Sequence, residues 1–141
     1  IEFNCRFGDP ETQPIMSRLN SDLVDLVEAA IDGKLDSVAA EWNSQTAVGV
    51  VLAAQNYPDS PKKGDVIFGL DKANQIGKVF HAGTVKNEKG EVVTNGGRVL
   101  CVVGLGDDVA QAKSKAYEAL ETIRFDGMQY RKDIADKAIN R

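Results

Sequence analysis

The chain has 141 residues, 43% hydrophobic and 27% charged, a balance that excludes a disordered segment and gives one ordinary domain a real core. Its net charge of −4 and pI near 5.0 speak against a nucleic-acid partner, which needs a basic face to displace counterions. Apolar runs such as Ala47 to Ala54 fall far short of the roughly 20 residues that cross a bilayer, so no membrane partner is expected, and no charged-then-apolar leader is visible.

Residues 1–7 alternate. Ile1, Phe3, Cys5 and Phe7 face one way and Glu2, Asn4 and Arg6 the other, the period of a strand. Gly8-Asp9-Pro10 breaks it. Ile15, Leu19, Leu23, Leu26, Val27 and Ala30 fall at helical spacing and predict a helix over 14–31, which Ser21-Asp22 can recap partway. Gly33 is its stop. A short mixed link follows over 35–42. Thr46 to Ala54 reads as a buried strand with a central glycine, and 56–63 as a turn-rich loop with two prolines. Val66-Ile67 is a candidate short strand and 78–85 another. Asn87 to Gly90 reads as a hairpin turn leading to a strand over 91–94. Asn95-Gly96-Gly97 is a second turn. Arg98 to Leu105 is the most apolar strand. Asp107 or Asp108 caps a helix to about Ile123, with Val109, Ala112, Ala116, Ala119 and Leu120 on its buried face. A last short helix is expected over 130–138, placed by a turn at Asp126-Gly127. Together these give an α+β fold, a mostly antiparallel sheet with helices at the two ends, whose first strand and helix read as the tail of another unit.

Some residues carry chemistry. Glu2, Asn4 and Arg6 stand about 6.5 Å apart in succession on one strand face. A carboxylate and an amide oxygen at that spacing suit a hard cation such as Mg²⁺, and an arginine beyond them can hold an anion. The alternative is the solvated face of an edge strand. Cys5 and Cys101 read as two buried, reduced thiols of a cytoplasmic protein. The lone histidine, His81, excludes a His-rich zinc site and reads as a packed core residue rather than a base. Trp42 reads as core packing or a contact between domains. Arg98 follows two glycines whose turn amides can cradle a phosphate, the alternative being a plain hairpin turn with an exposed arginine. Lys62-Lys63 and Arg131-Lys132 are possible sites for a small phosphate, ranked below Arg98 because charged pairs are usually solvated.

The opening stretch EFNCRFGDPETQP resembles the metal-binding strand and following loop of the ATP-grasp ligases. With SDLVDLVEAAIDGKL, VFHAGT, VVTNGGRVLCVVGLGD, KAYEAL and FDGMQYRKDI in order, the chain resembles the carboxy-terminal part of the glycinamide ribonucleotide synthetase family across essentially its whole length. The long amino-terminal stretch that holds most of the ATP-grasp fold in that family is not in this sequence. The resemblance implies a carboxy-terminal fragment whose missing partner is the amino-terminal ATP-grasp portion of the same polypeptide. It implies that residues 1–33 end an ATP-grasp domain with its last strand and helix, and that 34–141 form the family's small carboxy-terminal domain.

The resemblance also implies an activity. ATP phosphorylates the carboxylate of glycine, and the amine of 5-phosphoribosylamine attacks the glycyl phosphate to give glycinamide ribonucleotide, ADP and phosphate. Glu2 and Asn4 would bind Mg²⁺ or Mn²⁺. Arg6 would be catalytic, holding the reacting carboxylate or acyl phosphate. Gly8 and Asp9 would shape the glycine site, unless Asp9 serves only as an Asx-turn residue before Pro10. Gly96, Gly97 and Arg98 would hold the 5-phosphate. The fragment alone is expected to be inactive. A carboxylase subunit of the same superfamily is a rival, disfavoured by the Gly8–Thr12 loop and the Asn-Gly-Gly-Arg turn. The alternative outside catalysis is a phosphosugar-binding or interaction module.

Overall fold

The computed structural model describes residues 4–140. The core is built from residue 46 onward. Strand β1 (Thr46–Ala53) runs antiparallel to β5 (Arg98–Gly106), with Val50 opposite Val102 and Val48 opposite Gly104. Strand β2 (Lys78–His81) lies along the other side of β5, Val79 opposite Val102, so the most apolar strand is central in the order β1-β5-β2. Alternation splits β1 by face. Val48, Val50 and Leu52 join the core beneath helix α4 (Val109–Glu121), where Ala112, Ala116, Ala119 and Leu120 are fully buried. The small residues on α4 have a reason. A Cβ at Gly104 would lie 3.0 Å from the Ala116 Cα and closer still to the backbone at Ala112, so helix and strand meet at van der Waals distance. Asp108 caps α4 by accepting from the Gln111 N–H at 2.8 Å.

The opposite face of the sheet carries Gly49, which meets Pro14 of helix α1 (Thr12–Arg18) and the Cys101 thiol. The predicted helix over 14–31 is two helices. Asp22 accepts from the Val24 N–H at 2.8 Å and starts α2 (Leu23–Ile31) afresh. A 3₁₀ turn follows at Leu35–Ser37, and no residue of these three elements is buried. Of the strand expected over 1–7, residues 1–3, with Glu2, lie outside the described residues; residues 4–7 pair with no strand, and Cys5 is exposed rather than buried.

The strand expected over 78–85 is cut at Ala82-Gly83. There the chain leaves β2 and enters a second sheet, in which β3 (Thr84–Lys86) pairs antiparallel with β4 (Val92–Thr94). The hairpin between them is held by the Asn87 side-chain oxygen, which accepts from the N–H groups of Lys89 and Glu91. Helix α3 (Leu70–Ile76) was not expected from the sequence. The last helix is only α5 (Asp136–Ile139), because Gln129 pairs with Ala53 and draws the segment before it out along β1. Among the described residues no helix is long and apolar enough to cross a membrane.

Candidate functional site

Arg98, at the start of β5, brings distant parts of the chain together. Its Nη1 donates to the backbone carbonyl of Asp9 at 2.8 Å and lies 3.1 Å from the Asp9 carboxylate. Its Nε donates to the Tyr57 hydroxyl at 3.0 Å. The Tyr57 hydrogen bond first, then the Asp9 charge, raises the guanidinium pKa above its ordinary value. Two residues singled out from the sequence, Asp9 and Arg98, thus meet although they stand 89 positions apart. The Gly8 carbonyl, one residue before, accepts from both the backbone N–H and the hydroxyl of Thr12, at 3.0 and 2.6 Å, which ties the loop to the first turn of α1.

Gly96 and Gly97 do not form a hairpin turn. They carry the chain from β4 in one sheet to β5 in the other. Gly97 accepts from the Ala54 N–H at 2.9 Å, and a Cβ on it would overlap the Tyr57 ring. Its bareness lets that ring lie against the backbone and reach Arg98. Gly96 lies against Gly83, where a Cβ would come within 3.0 Å of the Gly83 Cα.

Of these groups, Tyr57 and Arg98 edge a cleft of about 550 Å³ over the outer face of β1. Its floor is Gly49, Val51 and Ala53. Pro10, Tyr57 and Arg98 form one side, and the extended segment Gln129 to Arg131 with Ile134 forms the other. Asn4 and Arg6 are exposed at the end of the described chain, and among the described residues Arg6 donates to the carbonyl of its neighbour Phe7, at 3.0 Å. Among the described residues no group of three or more His, Cys, Asp or Glu is placed to hold a metal ion.

One expectation changes and two gain detail. His81 is an exposed residue, its Nδ1 3.0 Å from the Thr84 hydroxyl, and not a core histidine. It ends an edge strand whose inward residue is Val79. Lys62 is exposed and also serves as a clamp. It lies 2.8 Å from Asp65 and 2.6 Å from Asp126, and those hydrogen bonds, Asp126 first, push its pKa up to about 12. Trp42 is half exposed and bridges to Leu19, so of its two readings core packing falls away and a contact between domains stays open. Tyr57 and Gln129 were missed as cleft residues. They come from a loop and an extended carboxy-terminal segment with no periodic signal.

The fold and this cleft define a carboxy-terminal module of a ligase family. Residues 47–137 match the family described as phosphoribosylglycinamide synthetase, C domain, and the chain belongs to that family. It is 87% identical over 141 residues to the phosphoribosylamine–glycine ligase of Neisseria meningitidis serogroup A, strain Z2491, spanning 100% of this chain and 33% of that protein. It is 58% identical over 141 residues to that of Ralstonia nicotianae, with the same coverage. The crystal structure of phosphoribosylamine–glycine ligase from Thermotoga maritima is similar with a TM-score of 0.83 at 41% identity, over 96% of this chain and 33% of that one. The chain therefore spans about a third of the length of the curated relatives it matches.

Proposed function

We propose that the polypeptide to which this chain belongs is an ATP-dependent, ADP-forming ligase that joins glycine to 5-phosphoribosylamine in purine biosynthesis, in the cytoplasm. The observation that carries this reading is identity of 87% along every residue to a protein named for that reaction. The glycine carboxylate oxygen attacks the γ-phosphorus of ATP and ADP leaves. The amine nitrogen then attacks the acyl carbon, loses its proton and expels phosphate. Positioning and charge stabilisation do most of such work.

Residues 1–33 would close an ATP-grasp domain, and 34–141 would form the small carboxy-terminal domain. Asp9 would meet the glycine ammonium beside Gly8, held in place by Arg98. Arg6, exposed and free to swing, would hold the acyl phosphate. Gly96, Gly97 and Arg98 would shape the side of the cleft that takes the phosphosugar. The Glu2 carboxylate and Asn4 amide oxygen would hold Mg²⁺ or Mn²⁺; a carboxylate and an amide oxygen suit a hard cation that keeps substrate phosphates as its other ligands. The bound cation would neutralise the polyphosphate charge.

The rest of the polypeptide has a surface to cover. Val24, Val27, Ile31, Leu35 and Val38 are all exposed along α2 and the 3₁₀ turn, an apolar run that marks an interface. The chain alone would be inactive, because the nucleotide chemistry would belong to the missing portion. The test is ADP release by the full-length protein with each substrate omitted in turn. Release by this fragment alone, given ATP, Mg²⁺, glycine and phosphoribosylamine, would contradict the assignment of nucleotide chemistry to the missing portion.

A further inference from the structure

Arg131 ranks below Arg98 in the sequence as a phosphate site, yet the fold fixes it on the cleft. Gln129 exchanges two backbone hydrogen bonds with Ala53, at 2.7 and 2.9 Å, and its side chain donates to the Ala54 carbonyl at 3.1 Å. The Tyr117 hydroxyl on α4 donates to the Arg131 carbonyl at 2.6 Å. The backbone of Arg131 is thereby tied to β1 on one side and to α4 on the other. Its side chain is not tied in the same way. It is 74% exposed, and its fork rests on Asp133, Nε at 2.9 Å and Nη2 at 2.5 Å. The Asp133 side chain is itself exposed and only two positions away, so an anion in the cleft can compete with it for the fork.

The charged residues that line the cleft are Arg98 and Arg131, each met from outside the lining by one carboxylate, Asp9 and Asp133. Arg98 has three of its contacts committed, to the Asp9 carbonyl, the Asp9 carboxylate and Tyr57, so among the described residues only its Nη2 makes none. The Arg131 fork already meets a carboxylate through Nε and Nη2, and the same fork matches two phosphate oxygens at once.

We propose that Arg131 is the phosphate-holding residue of the cleft, leaving Asp133 to grip the 5-phosphate of the sugar while Arg98 fixes the Asp9 loop on the far side. This rests on the reading of the cleft as the phosphosugar site. The probe is ribose 5-phosphate, titrated calorimetrically into full-length protein, wild type against Arg131→Ala and Arg131→Lys. The loss of one charge-assisted fork predicts binding weaker by about 10- to 100-fold in Arg131→Ala, with partial recovery in Arg131→Lys. In turnover the KM for phosphoribosylamine rises by the same factor, and those for glycine and ATP do not move. A merely structural residue would shift all three or none. Equal affinity in wild type and Arg131→Ala, or no binding to wild type, overturns the proposal. The calorimetry needs no turnover, so failure of the ligase reading would show separately, as wild-type protein that binds the sugar phosphate but releases no ADP with glycine.

Discussion

Gly97→Ala tests how the site is held together. A methyl group there would lie 2.8 Å from Tyr57 Cε2, closer to Cδ2, and 3.2 Å from Pro61 Cγ. Non-bonded carbons settle at about 3.5–4.0 Å. The ring must therefore retreat by at least about 0.7 Å, and the hydrogen bond from Arg98 Nε to the Tyr57 hydroxyl, now 3.0 Å, passes its useful limit. The backbone at Gly97 is not left-handed, so the cost is overlap and not strain. Overpacking of this kind costs about 1–3 kcal/mol. The lost hydrogen bond adds little, because the Arg98 side chain is 41% exposed and water replaces it. A melting temperature lower by roughly 2–10 °C is expected by circular dichroism, with the urea m-value unchanged. In the full-length protein the KM for phosphoribosylamine should rise too. The decisive control is the same change in a Tyr57→Ala background, where the ring is gone and the cost of Gly97→Ala should nearly vanish. An equal cost in both backgrounds would refute the reasoning.

Leu120, fully buried between α4 and the sheet, should cost about 2–5 kcal/mol when cut to alanine, read as a lower urea midpoint. Arg98→Ala should cost less than about 1 kcal/mol of stability, since its ion pair is half exposed, while raising the KM of the full-length protein for glycine through the released Asp9 loop. Burial, and secondarily the Asp9 charge, pushes the Cys101 thiol up to about 12 from 9.0. The unfolded chain gives up that proton above about pH 9 and the folded chain keeps it, so this component of stability is present below pH 9 and is lost on the way to pH 12, by up to about 1.4 kcal/mol per pH unit. Cys101→Val should therefore lose less stability than wild type between pH 8 and 10.5 in urea titrations; parallel curves would contradict the assignment.

The strands were legible where both faces are apolar or one is. The run Arg98 to Leu105 reads as β5 because it is covered on both sides, and Thr46 to Ala54 reads as β1 because it is apolar throughout although only one of its faces is fully buried. The cap residues Asp22 and Asp108 announce their helices by type alone. Helix α3 was illegible. It has seven residues and one buried position, Ala73, too short for a helical period to emerge. The helix expected over 130–138 begins late because Gln129, just before it, pairs with Ala53, far away in sequence, and that pairing overrides a locally helical composition. In the site, Asp9 and Arg98 could be singled out by residue type and by resemblance, but not their contact. Tyr57 has no signal at all, since its place depends on Gly97 leaving room for a ring that comes from 40 residues earlier.

The central claim is that the whole polypeptide couples ATP cleavage to the joining of glycine and phosphoribosylamine. The most direct measurement is ADP release by the full-length protein with Mg²⁺ and ATP, with each of the other two substrates present or withheld. Release that requires glycine, and rises to steady turnover only when phosphoribosylamine is added, is the predicted result. Release indifferent to glycine, or none with all components present, would contradict it.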